Sequence, residues 1–192
     1  AQGGLKDVQC VAADICNDAS TGRIFAGLDG VDHVFISAGT HLNAKIVGND
    51  LEILHNIVDE RLWGVVHVVR HAKPLMRCGS ITFTTGYLSS RPRPDSAMST
   101  AVLAAVEALA PALALELAPV RVNVATLGTV DTSFLDAIYG AKRDEYLKTR
   151  GAALPVGRVG TPEEIAQAVL MLMTNEYING AVLNIDGGGR FV

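Results

Sequence analysis

Short runs of β-branched and aliphatic residues alternate along the chain with stretches whose apolar positions recur every three or four residues. The runs at 8–13, 34–37, 80–84, 120–125 and 181–185 read as strands, several of them closed by glycine turns such as Leu127-Gly128 and Gly187-Gly188-Gly189. Between the first two, residues 19–26 read as a short helix ending at Asp29-Gly30. From 50 to 76, Leu51, Leu54, Ile57, Val58, Leu62, Val65 and Val69 fall on one stripe, which predicts a single long amphipathic helix. An alanine-rich helix is predicted over 97–118, with Pro111 expected to bend it or to interrupt its regular bonding near Glu107. Thr161-Pro162-Glu163-Glu164 reads as an N-cap, a proline at the first helical position and two acids facing the helix dipole, opening a helix to about Thr174. Parallel strands need a helical crossover between them, so this alternation predicts an α/β domain.

Composition narrows the picture. The chain has 192 residues, of which 49% are hydrophobic and 19% charged, enough for one domain with a real core and ordinary globular usage. A net charge of -4 without any clustered Lys/Arg block leaves no electrostatic footprint for nucleic acid. Cys10, Cys16 and Cys78 are an odd set without Cys-x-x-Cys spacing, so no disulfide framework and no zinc site are expected, and a reducing cytoplasm is the expected setting. The apolar 97–120 stretch contains Glu107, Pro111 and Glu116 and is rich in alanine, which suits a buried or interface helix and not a membrane span. His67 and His71 stand one helical turn apart, but with no convergent carboxylate or cysteine motif no metal is expected. The segment 129–159 carries Phe134, Tyr139, Tyr146 and several charges after a strand end. It reads either as a lid over a ligand site or as a plain pair of surface helices.

Several local sequences then agree in order. Ala12-Ala13-Asp14-Ile15, Ile36-Ser37-Ala38-Gly39, the run from Leu113 to Val124, Arg158-Val159-Gly160-Thr161-Pro162-Glu163-Glu164-Ile165-Ala166 and Asn184-Ile185-Asp186-Gly187-Gly188 together resemble the short-chain dehydrogenase/reductase family over nearly the whole chain. The resemblance implies a Rossmann-type doubly wound parallel sheet and a bound NAD or NADP. It also implies that Asp14 and Ile15 face the adenine. Ser37, Ala38 and Gly39 would form the turn after the fourth family strand, and Gly128, Val130 and Thr132 would meet the nicotinamide and phosphate. The family's glycine-rich phosphate turn would precede the present residues, so the sheet is expected to be incomplete at the N-terminus and the chain to be part of a longer protein. The discrimination between NAD and NADP lies in that same region.

The catalytic positions depart from the family pattern. The resemblance implies a tyrosine, a lysine four residues later, a serine and an asparagine, and the register places Ser99, Leu103, Gly86 and Arg61 at these positions. No Tyr-x-x-x-Lys pair occurs anywhere in the chain. Hydroxyls that remain near the expected site include Thr85, Tyr87 and Ser99. Tyr87 follows a strand end and reads either as a substitute proton donor or as a loop tyrosine covering apolar surface. Thr85 is either a hydrogen-bond partner for a substrate carbonyl or a structural strand residue. Arg61 could grip a substrate carboxylate or be a solvated or interface charge beside Glu60. The expected function is therefore either an NAD(P)-dependent oxidoreductase of a small carbonyl or alcohol with a rebuilt proton-donor site, or a degenerate nucleotide-binding or scaffold subunit. Homodimer or homotetramer formation through the long helices is expected under both.

Overall fold

The structure is a computed structural model and describes residues 7–40 and 43–192. Four strands, β1 (His33–Ile36), β2 (Ser80–Gly86), β3 (Arg121–Leu127) and β4 (Val182–Ile185), form one sheet in the order β1-β2-β3-β4. Every neighbouring pair is parallel.

Side chains alternate across a strand, so each strand feeds two layers. Ile81 and Phe83 of β2 and Val122 and Val124 of β3 face a helical layer made of α3 (Gly64–Ala72) and α4 (Ala97–Glu116), burying Val65, Val68, Val69, Val106, Ala110 and Leu113. Ala125, one residue on from Val124, points the other way and packs with Val169 and Leu172 of α7 (Pro162–Thr174). Helices on both faces of a parallel sheet are the doubly wound arrangement that the sequence predicts. Burial on both faces takes in the polar residues of these strands as well, Ser80, Arg121, Asn123 and Thr126 included, so neither β2 nor β3 has a solvent-facing polar side.

The predicted strand over 8–13 does not form. Residues 8–13 are exposed and lie outside the sheet, because a strand is defined by its hydrogen-bonded neighbour and none of the described residues supplies one. The next element, α1 (Asp18–Phe25), does form; Asn17 accepts the Ser20 N–H as its N-cap, and the helix packs on α3.

The predicted helix over 50–76 is one helical rod of differing pitch. It consists of α2 (Leu51–Val58), a π-helical turn (Asp59–Trp63), α3 and a closing 3-10 turn at Lys73–Leu75. Arg61 sits at the centre of the π turn, which is wider than a regular helical turn. The α4 helix runs unbroken from Ala97 to Glu116, although Pro111 has no N–H to give to the Glu107 carbonyl. By length and composition α4 could cross a membrane; here one of its faces is packed against the sheet and α2.

The α7 N-terminus has the expected capping box, with Thr161 Oγ1 accepting from the Glu164 N–H and the Glu164 carboxylate accepting from the Thr161 N–H at 2.9 Å. At the other end of α7, the buried Arg121 of β3 donates to the carbonyls of Leu172 and Ile178, each at 2.9 Å, and of Met173. This satisfies carbonyls that a helix end would otherwise leave unpaired and ties α7 to the sheet.

Candidate active site

The carboxyl ends of β1, β2 and β3 open into a cleft of about 910 Å³. Open parallel sheets place their ligands at this edge, because the strands end there and the connecting loops diverge. Three strand-end turns form its floor: Ser37, Gly39 and Thr40 after β1, Gly86 to Leu88 after β2, and Gly128 to Val130 with Thr132 after β3. Over them stand α5 (Phe134–Tyr139) and α6 (Arg143–Ala153), which contribute Phe134, Leu135, Ile138, Tyr139 and Tyr146. Arg143 fastens this helical pair to the strand end by ion pairs to Asp136, at 2.8 Å, and to Asp131.

Of the residues singled out in the sequence, Thr85, Tyr87, Ser99, Ser37, Gly39, Gly128, Val130 and Thr132 all line the cleft. Asp14, Ile15 and Ala38 do not. The Asp14 carboxylate turns back to accept the Cys16 N–H at 2.9 Å, and Ile15 packs against Gly64, where an added Cβ would approach to 2.7 Å. Gly128 has a packing reason of its own, since a Cβ there would lie 2.6 Å from Asp186 Cα in the turn after β4. His67 lies 2.8 Å from the Ile15 carbonyl oxygen, and His71 lies 3.1 Å from Asp18.

The four positions at which the family motif departs all reach this cleft. Leu103 and Ser99 are buried on α4, Gly86 ends β2, and Arg61 projects from the π turn. Arg61 donates to the Thr40 carbonyl, and Glu60 accepts from the Thr40 hydroxyl and, at 3.0 Å, from its N–H. Burial pushes the Arg61 guanidinium below its ordinary pKa, and the Glu60 carboxylate opposes that shift.

Three relationships were not visible in the sequence. Thr85 and Thr126 stand side by side in the β2–β3 register. Their hydroxyls and that of Ser89 all reach Glu107 Oε1, at 2.8, 3.1 and 2.7 Å respectively. Thr85 is thus held from below by α4 at the point where β2 enters the cleft. The Tyr87 hydroxyl accepts a hydrogen bond from Arg150 of α6 at 3.2 Å. Tyr139 and Tyr146 stack at 3.9 Å between ring centroids, and burial followed by the Tyr146 hydrogen bond pushes the Tyr139 phenol up to about 12.

A parallel, doubly wound sheet with a ligand-sized cleft at its carboxyl edge defines a Rossmann-type α/β domain. Comparison with known proteins gives the family. A family model described as enoyl-(acyl carrier protein) reductase matches residues 1–189. A short-chain dehydrogenase/reductase of Acremonium sp is 34% identical over 166 residues, covering 84% of this chain and 63% of that protein. The 3-oxoacyl-(acyl-carrier-protein) reductase of Chlamydia muridarum is 30% identical over 177 residues, covering 88% of this chain and 70% of the relative. Among solved structures, a small-chain dehydrogenase in complex with NADPH superposes with a TM-score of 0.88 at 32% identity, over 94% of this chain and 83% of that one. The chain belongs to the short-chain dehydrogenase/reductase family, and it spans just under two thirds of the length of the Acremonium relative.

Proposed function

We propose that the protein is an NAD(P)-dependent oxidoreductase that interconverts a small carbonyl and the corresponding alcohol, with Tyr87 as the group that exchanges a proton with the substrate oxygen. The observation that carries this reading is the convergence of the strand-end turns and Tyr87 on one cleft.

The residues present suit the nicotinamide end of a dinucleotide. Gly39 has φ +141, a conformation glycine adopts readily, and the space that a Cβ would take there holds the Arg61 guanidinium. Ser37, Gly128, Val130 and Thr132 would hold the nicotinamide and its ribose through backbone groups and hydroxyls, and the Arg61 cation favours an anionic ligand nearby. When bound, the nicotinamide supplies or accepts hydride. The chain's own residues do the rest. Leu103, Leu88, Leu135 and Ile138 exclude water from the reacting carbon, and α5 and α6 act as the lid over it. Glu107 holds Thr85 so that the β2 end, and Tyr87 after it, keep their place. Reduction places negative charge on the carbonyl oxygen, and the Tyr87 O–H is the acid placed to neutralise it.

The exposed apolar residues Leu51 of α2 and Leu115 of α4 suit self-association through these helices. Three free thiols suit a reducing cytoplasm.

A second reading, a nucleotide-binding subunit without turnover, is favoured by Leu103 and Gly86, which carry no proton and no charge at the positions where the family motif has lysine and serine. Incubation with NADH or NADPH and a panel of small aldehydes and ketones separates the two readings. Consumption of reduced cofactor supports the oxidoreductase, and cofactor binding without consumption supports the subunit.

A further inference from the structure

We infer that Arg150 is the positioning residue for Tyr87, doing from the lid what no residue of α4 does in this chain; the inference rests on the oxidoreductase reading above.

The geometry is specific. Arg150 Nη2 donates to Tyr87 Oη at 3.2 Å, and the guanidinium carbon stands 5.4 Å from the Tyr87 ring centroid. The cation therefore engages both the oxygen and the ring. A phenol oxygen that accepts from a guanidinium leaves its own O–H to donate elsewhere, and Tyr87 lines the cleft. Proton transfer breaks the Tyr87 O–H bond as an O–H bond forms on the substrate oxygen. The negative charge then left on Oη lies at hydrogen-bond distance from a fixed cation, which stabilises it in a partly buried site.

The surroundings leave this pairing to Arg150. Among the described residues its guanidinium forms no ion pair with a carboxylate, and its Nε is buried without a hydrogen-bond partner, so the side chain is not there to neutralise an acid. Gly189 leaves room for the pair; a Cβ there would lie 3.3 Å from Arg150 Nη2 and 3.9 Å from the Tyr87 ring. The other charged or titratable groups around it are Tyr139 of α5, Tyr146 of α6, Arg91 and Arg93 of the loop after β2, and the Asp186–Arg190 pair of the C-terminal turn. The two partners lie 63 residues apart on separate elements, so their meeting is a product of the fold.

The test is a double-mutant cycle on turnover of the whole protein, using NADPH or NADH and the carbonyl of the panel above that is reduced fastest. Tyr87→Phe is expected to lower kcat on the order of 100-fold or more. Arg150→Met is expected to lower kcat roughly 10-fold with little change in KM, and Arg150→Lys, which restores a cation, to recover most of that loss. Tyr87→Phe combined with Arg150→Met is expected to be no slower than Tyr87→Phe alone, because Arg150 acts only through the phenol. Should Arg150→Met fail to fold, Arg150→Gln replaces it in the cycle. A kcat unchanged by loss of the cation, or a double variant slowed by the product of the two single effects, overturns the role of Arg150 and leaves the oxidoreductase reading intact. Absence of turnover in the unaltered protein overturns both.

Discussion

The guanidinium of Arg61 lies against the open face of Gly39, where a Cβ would come to 2.6 Å from Arg61 Cζ. Two constraints coincide at this glycine, since its φ of +141 is one that residues with a Cβ rarely adopt. Gly39→Ala is expected to destabilise the fold by about 1–3 kcal/mol. Adding Arg61→Ala should relieve the steric part and leave the backbone part of roughly 1 kcal/mol. Urea denaturation of the two variants measures the difference; a Gly39→Ala protein as stable as the parent would show that the turn adapts freely.

Glu107 accepts the hydroxyls of Thr85, Ser89 and Thr126 on a single carboxylate oxygen. Glu107→Leu removes the acceptor from three donors under the cleft floor and is expected to cost about 2 kcal/mol or more, because partly buried donors lose their partner. Glu107→Gln keeps an oxygen there and should cost less. Chemical denaturation orders the variants, and turnover should fall with Glu107→Leu because the Tyr87 turn is no longer held.

Arg158, through a 2.6 Å contact, and then the Thr161 N–H hold the Glu164 carboxyl down at about 2, against an ordinary 4.5. A depressed carboxylate contributes stability that is present above its unfolded pKa and is lost as pH falls toward its folded one. The thermal midpoint of the parent should therefore exceed that of Glu164→Gln above about pH 4.5, and the gap should close as pH falls to about 2. The pair is exposed and the gap is expected to be small. A gap that is independent of pH over this range would remove the charge from the explanation.

How much of this was legible in the sequence follows the range of each interaction. The α7 start was readable because Thr161, Pro162 and Glu164 act on one another within four positions. The strands β2 and β3 were readable from their β-branched and aliphatic residues, which burial on both faces favours, although β3 opens on the buried Arg121. The 8–13 run has the right residue types and forms no strand, since ladder pairing is a property of two segments and the residue types report only one. The stripe from Leu51 to Val69 was readable, whereas the π turn at Asp59–Trp63 was not, because its extra residue scarcely disturbs the apolar spacing. Two of the five family-like segments, 36–39 and 158–166, contribute residues that line the cleft. They did not show that Glu107 would meet Thr85, or Arg150 Tyr87, across 22 and 63 residues.

The central claim is that the cleft beneath α5 and α6 performs hydride chemistry with Tyr87 as its proton donor. The most direct measurement is reduced-nicotinamide consumption by the protein and by Tyr87→Phe across the carbonyl panel, with cofactor binding followed in parallel. The account predicts turnover in the parent and a loss on the order of 100-fold or more in Tyr87→Phe, with cofactor affinity retained. Binding of NADH or NADPH without consumption, or equal turnover by the two proteins, would contradict it.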